Sequence, residues 1–385
     1  MNPPPPAINR CTSAPLALVA RHDVRPSAAT HQSRMRRAIA ALIPPLPTRL
    51  DSCAPIPSTA MALRRLTFVL ASALAVAACG SDDDGNGLGI ISLGDAAPGE
   101  TVGLIANEID GVRYAEWLDR LDGTVLRLDI DDPDAGVETI ATVDVGTDGE
   151  QRGLLGQVVI EGRRYASWTQ PETFELVVGE LLDDGPPQIV WSAGEAGGGA
   201  IGGVLDELDG EIVLGLGRNT EWDADTDVGG AIVVIDPTAS ADREEVALSV
   251  GYTNPWAFTV TSGGGVWVAD NAAGPDPDDE SRDDVERVGR ADLVGDRNEM
   301  DEVPWPGRAP AAMVELPDGR LGICGFLDNE LRAYDVVDSP AGERTGLERA
   351  GTIMPCLTGA AVFGDGTIVT IAQTDAGEAL LIQRP

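Results

Sequence analysis

Residues 270–280 of this 385-residue chain read DNAAGPDPDDE, a short run dense in oxygen donors. Carboxylates and main-chain carbonyls in an acidic loop suit a hard cation such as calcium; the simpler alternative is a solvated acidic turn. Asp223, Asp225 and Asp227 alternate as the first half of a calcium loop would. Its glycine falls at Gly229 rather than at Val228, however, and position twelve is Val234, which argues against an EF-type site. Glu150, in GTDGEQRG (146–153), is a possible carboxylate base. The glycine-rich run GEAGGGAIGG (194–203) has neither a lysine nor a helical pattern after it, so it does not read as a phosphate cradle. No serine sits in a nucleophile elbow. The two histidines, His22 and His31, both precede residue 32, so an imidazole base is absent from everything that follows.

The elements around these residues repeat. Six segments share an apolar run, a turn at Asp-Gly or its equivalent, and a second apolar run. The turn glycines are Gly111, Gly162, Gly210, Gly265, Gly319 and Gly366, spaced by 51, 48, 55, 54 and 47 residues. Asp-Gly between apolar runs is a strong hairpin signal, because glycine tolerates the positive φ of a tight turn. A third apolar segment follows each hairpin: 124–130, 174–182, 231–236, 285–293, 330–336 and 379–383. A weaker strand placed before each hairpin, as at 140–145 and 188–191, completes four. Apolar residues alternate or run in fours to sixes, without helical spacing. About 50 residues per four-stranded unit, six times over, predicts an all-β, six-bladed β-propeller of four antiparallel strands per blade. A sandwich would not give a near-constant period, and a β-helix would give a much shorter one. The strand at 379–383 is expected to pair with the N-terminal end of the domain and close the ring.

The first 89 residues are organised differently. Residues 1–60 are rich in Pro and Arg, lack periodicity, and read as an over-long start outside the mature protein. From Met61 comes an export signal (61–78): Arg64-Arg65, a short apolar stretch, then Val76-Ala77-Ala78-Cys79. Small residues before a cysteine resemble the lipobox of bacterial lipoproteins, which implies lipidation at Cys79. Residues 79–89 are then an acidic flexible tether and 90–385 the propeller. Gly80 lacks the Asp that marks inner-membrane retention, so the expected location is the bacterial envelope, lipid-anchored at the outer membrane. From Cys79 onward 18 Arg face 61 Asp and Glu, a net charge of −43. Such a surface repels nucleic acid and excludes it as a partner. Cys324 and Cys356 are two cysteines that an oxidising compartment could join.

GEQRGLLGQVV (149–159), AIGGVLDELDGEIVLGLG (200–217) and GYTNPWAFTVTSGGGVWVADN (251–271), followed by the DDE loop, resemble the glucose/sorbosone dehydrogenase family in order and spacing. The resemblance covers roughly residues 100–383. It implies a periplasmic or secreted six-bladed propeller that oxidises sugars with pyrroloquinoline quinone (PQQ) and calcium. Carried over residue by residue, it implies cofactor contacts at Gln151 and Asn254 and a calcium loop at Gly274, Pro275 and Asp279. It also implies a histidine base where this chain has Ala200, and a cofactor-binding arginine where it has Thr253. A tri-anionic quinone would moreover enter a strongly acidic channel, which electrostatics disfavours.

Three functions remain open. The first is a catalytically degenerate, lipid-anchored binding or scaffold module, with a carbohydrate or another envelope protein as partner. The second is a PQQ- and calcium-dependent aldose dehydrogenase using a carboxylate base such as Glu150. The third is a calcium-dependent lactonase-like hydrolase with Asn254, Asp270 and Asn271 around the metal.

Overall fold

The computed structural model describes residues 88–93, 100–220, 230–238, 245–271, 286–302, 309–338 and 344–385. The signal segment, Cys79, Asp223, Asp225, Asp227, Gly274, Pro275 and Asp279 lie outside the described residues. Among the described residues, twenty-four strands form six four-stranded antiparallel sheets. Five of them are consecutive: β2(Thr101–Ile109) to β5(Glu138–Thr142), β6(Leu154–Ile160) to β9(Gln188–Glu195), β10(Gly202–Leu208) to β13(Val246–Tyr252), β14(Ala257–Val260) to β17(Asp301–Glu302), and β18(Pro310–Glu315) to β21(Arg344–Met354). The sixth joins β22(Gly359–Val362), β23(Ile368–Thr374) and β24(Gly377–Gln383) to β1(Leu88–Ser92). The innermost strands β2, β6, β10, β14, β18 and β22 contact one another in a closed ring, with β22 returning to β2. The fold is a six-bladed β-propeller.

Alternation makes the core. Successive side chains of a strand point to opposite faces, and here each face meets a different neighbouring blade. On β11(Glu211–Leu216), Ile212, Leu214 and Leu216 pack against the second blade while Val213 packs against the fourth. Six hydrophobic clusters result, one in each interface between neighbouring blades. This is why the middle of each second strand is buried on both sides, and why β11 and β15(Val266–Asp270) are apolar almost throughout.

The hairpin turns fall into two types. In the first three blades a two-residue loop has positive φ at both positions, Asp110-Gly111, Glu161-Gly162 and Asp209-Gly210, as a type I′ turn requires. In the last three, a longer loop closes with paired bonds, such as Thr261 N–H to Gly265 O at 2.9 Å and Gly264 N–H to Thr261 O at 2.8 Å. There the positive φ falls on Gly264, Gly319 and Gly366. In the fourth blade the special glycine is therefore Gly264, one residue before the expected Gly265.

Two further boundaries differ from expectation. The strands near 140 and 188 do not precede the hairpins as parts of the same blade. β5 pairs with β4(Thr124–Asp129) and β9 with β8(Glu175–Leu181), so each is the outer edge of the preceding blade. A repeat period sets the length of a unit but not where it starts. Ring closure follows the expected route, with Leu88 opposite Gln383 and Ser92 opposite Ala379. β1 begins at Leu88, inside the stretch read as tether.

Candidate functional site

Every innermost strand starts at the same end of the channel, and the segments entering these strands gather there. A cavity of about 270 Å³ opens at this mouth. Its polar wall comes from Glu150 and Gln151 before β6, Asn254 before β14, Asn271 after β15(Val266–Asp270), and Thr358 before β22. Arg120, just after β3(Val112–Asp119), adds a cation, and Trp256 and Phe326 add aromatic faces. A second cavity of about 220 Å³ continues down the channel, sharing Trp256, Ala311 and Thr358 with the first and reaching Gln157 and Asp206.

Asn254 is held firmly. Asp270, fully buried at the end of β15, accepts the backbone N–H of Thr253 at 3.0 Å and of Asn254 at 2.7 Å. The guanidinium of Arg297, 4% exposed, donates to the same carboxylate. Burial pushes the Asp270 carboxyl up, against the pull of Arg297 and the two N–H donors. The Asn254 carbonyl accepts from Trp256 N at 2.8 Å and from Asn271 N at 3.0 Å. The loop is thus tied at both ends, and the Asn254 side chain, 5% exposed, is fixed in the mouth wall. Its Nδ2 reaches Gln151 Oε1 at 3.4 Å, while its Oδ1 is buried with no partner among the described residues. Thr358 Oγ1, also in the wall, is a second buried atom of this kind. Orphaned buried polar atoms cost about 1–3 kcal/mol each unless a ligand or water meets them. Two in one cavity mark where a ligand would touch.

The remaining motif residues are architectural. Arg152 donates Nε and Nη2 to Ala196 O at 3.1 and 2.5 Å and Nη1 to Asp148 O at 2.6 Å. Its guanidinium also lies over the Phe174 ring, 3.8 Å from the centroid. It binds two loops together behind the wall. Gln151 N donates to Gly198 O at 3.0 Å, and Gln151 Oε1 accepts from Ile201 N at 3.2 Å, so the glycine-rich run supports Gln151. The adjacent glycines allow blades two and three to touch, since a Cβ on Gly156 would fall 2.4 Å from Gly203 O. Ala200 carries a positive φ of 51° and gives its carbonyl to Asn219 N at 3.2 Å.

The sequence expectations for the site separate accordingly. Glu150, Gln151 and Asn254 meet at one mouth. Glu150 is exposed at the rim, with no hydrogen-bond or ion-pair partner among the described residues, so nothing there orients it as a base. Asp270 accepts from Thr253, Asn254 and Arg297, so its described role is to hold the loop that carries Asn254. Among the described residues no three His, Cys, Asp or Glu side chains come together as a metal cluster. Cys324 and Cys356 form a disulfide with Cα atoms 5.3 Å apart, tying β19(Leu321–Gly325) to the segment that carries Thr358. Arg120 and Phe326 were not foreseen. Each follows the second strand of its blade in a turn without a motif, and only the blade topology brings it to the mouth.

The described residues of the mouth do not by themselves fit PQQ. A group with three carboxylates needs several cations, and among the described residues the mouth is lined by one, Arg120, together with the carboxylate of Glu150. Burial pulls the Arg120 guanidinium down, and its Nη1 already donates to Arg152 O at 2.7 Å.

No family model and no curated protein matches the sequence. Solved structures do match in fold. A putative oxidoreductase (glucose dehydrogenase) from Thermus thermophilus has a TM-score of 0.57 at 17% identity, over 77% of this chain and 99% of that one. The PQQ-bound aldose sugar dehydrogenase of Streptomyces coelicolor has a TM-score of 0.53 at 15% identity, over 77% and 98%. A glucose dehydrogenase has a TM-score of 0.52 at 14% identity, over 74% and 96%. The fold implied by the glucose/sorbosone dehydrogenase resemblance is the fold found.

Proposed function

We propose that this chain is a lipid-anchored envelope protein whose sugar-dehydrogenase-like propeller binds a small uncharged polyhydroxylated ligand at the channel mouth without oxidising it. The observation that carries the reading is Asn254: a rigidly held amide, 5% exposed, with an unsatisfied Oδ1 in the wall of a 270 Å³ cavity. Thr358 Oγ1, Gln151 and Asn271 add neutral donors and acceptors, and Trp256 and Phe326 add flat apolar faces for C–H groups. Convergent amides and a hydroxyl beside aromatic faces suit a carbohydrate and leave a tri-anion poorly compensated. No step of sugar oxidation follows from these residues, because no described side chain in the mouth is oriented to take a hydroxyl proton. Anchoring rests on the Cys79 motif.

The test has two arms. Thermal shift and calorimetry against a panel of neutral mono- and disaccharides should show binding that Asn254→Ala weakens by about ten-fold or more. Protein supplied with PQQ and calcium should show no aldose-dependent dye reduction and no lactone hydrolysis. Sustained turnover in either assay, or no carbohydrate response in the first arm, overturns the reading.

A further inference from the structure

A cleft of about 940 Å³, larger than either cavity of the channel, lies between the first and second blades at the end away from the mouth. Nearer the mouth this interface is sealed by apolar side chains such as Leu118, Val125, Leu154 and Trp168. Its far half is built differently: Arg127 of blade one and Arg164 of blade two meet on Glu116, which is fully buried. Arg127 Nε donates to Glu116 Oε1 at 2.8 Å, and Arg164 Nη1 donates to Gln157 Oε1 at 2.7 Å. Two long, tethered side chains hold the blades apart here where short apolar ones close them elsewhere.

One wall of the cleft is an unpaired sheet edge. β5 is the outermost strand of its blade and, among the described residues, pairs with β4 alone. Residues 138–141 all border the cleft. Alternate side chains of a strand point to opposite faces, so four consecutive residues border one space where that space reaches round the edge. Such an edge presents free N–H and C=O groups, the template on which an extended peptide adds a strand. The register slips between Val125 and Leu126 and leaves Ile140 without a partner, so the usable edge is short.

Charge selects the occupant. The arginines of the cleft are already committed, Arg127 and Arg164 to Glu116 and Arg163 to Glu180. Four exposed carboxylates that line it, Glu108, Asp110, Glu138 and Asp183, have no hydrogen-bond or ion-pair partner among the described residues. Beside them Ile109 and Leu182 are exposed apolar contacts. We infer that this cleft is a docking groove for an extended segment of a partner protein, with basic and apolar residues in alternation, that pairs with β5. Alternation turns the basic side chains toward the rim and the apolar ones toward Ile109 and Leu182. The groove shares no lining residue with the channel mouth, and the inference does not depend on the carbohydrate reading.

The test uses the full chain and three dye-labelled peptides of equal length at physiological salt. A peptide of alternating arginine and valine should bind in fluorescence anisotropy, and one of alternating glutamate and valine should not. The arginine–valine peptide N-methylated throughout keeps its charge but has no N–H to give the ladder, and should bind about ten-fold or more weaker. Glu138→Gln/Asp183→Asn should weaken the unmodified peptide to a similar degree. Glu348→Gln/Asp375→Asn, which removes two exposed carboxylates from other blades, should bind it as the wild type does. Hydrogen exchange at residues 138–142 should slow when the peptide is bound. Four results overturn the inference: no binding of the arginine–valine peptide, equal affinity for its N-methylated form, equal loss in the two double variants, or unchanged exchange at 138–142.

Discussion

Replacing Asp270 by Asn leaves the shape of the side chain and removes its charge. In the native protein the carboxylate satisfies Thr253 N at 3.0 Å, Asn254 N at 2.7 Å and the Arg297 guanidinium, and both side chains of the pair are at most 5% exposed. Deleting one partner of a buried pair costs about 3–5 kcal/mol, because the other charge stays behind in a poorly solvated place. For a domain of this size a kcal/mol corresponds to about 2 °C in melting temperature, so Asp270→Asn should melt about 6–10 °C lower. Removing both charges should be much milder, since a buried pair replaced by neutral groups of similar volume is often close to neutral. Asp270→Asn/Arg297→Met should therefore recover most of the lost stability. Urea and thermal unfolding followed by near- and far-UV circular dichroism measure this. The Asp270→Asn variant should also lose carbohydrate response at temperatures where it is folded, as the Asn254 amide is no longer aimed. A loss below about 1 kcal/mol for the single variant, or a double variant no better than the single, would refute the claim that the charge pair holds the mouth loop.

Asp206 gives a pH signature. It accepts Val260 N at 2.7 Å from the next blade, faces the enclosed channel, and burial pushes its carboxyl up to about 6. A folded-state value above the unfolded one means that the folded state binds the proton more tightly. Stability from this group is therefore full below the unfolded value, near pH 4, and is lost as pH rises through about 6. Its part exposure to the channel limits the effect to about 1–2 kcal/mol, and Asp206→Asn should flatten the stability profile between pH 4 and 6. A profile unchanged in Asp206→Asn contradicts this. Opening the Cys324–Cys356 disulfide by Cys356→Ser, across a separation of 32 residues, should cost about 2–4 kcal/mol and loosen the segment carrying Thr358. Equal unfolding midpoints for Cys356→Ser and wild type under oxidising conditions would contradict it.

The architecture was legible in the sequence because propeller blades are local. Each hairpin turn announces itself through residues that accept positive φ, such as Asp110-Gly111 and Asp209-Gly210. A second strand such as β11 is apolar on both faces because it lies between two blades. What the period could not supply was phase. Where every residue of a turn is glycine, as at 263–265, the sequence does not distinguish Gly264 from Gly265. Where the repeat has no marked beginning, an outer strand such as β5 can be assigned to either neighbour.

The mouth was less legible, for a physical reason that also says how to read it. The sequence motifs were strongest where backbones must approach, and those residues prove to be scaffolding: Gly156 against Gly203, and Arg152 across Ala196 and Asp148. Residues that only line the mouth need no such motif and sit in turns that look ordinary, as Phe326 does. The cleft between blades one and two is the sharpest case. Residues 138–141 read as one more outer strand, until Arg127 and Arg164 meet on Glu116 and leave space beside that edge. A sheet edge becomes informative when the fold leaves room next to it. In a chain this acidic, the carboxylates to test are therefore those that border such a space, and by that criterion Glu138 and Asp183 come before Glu348 and Asp375.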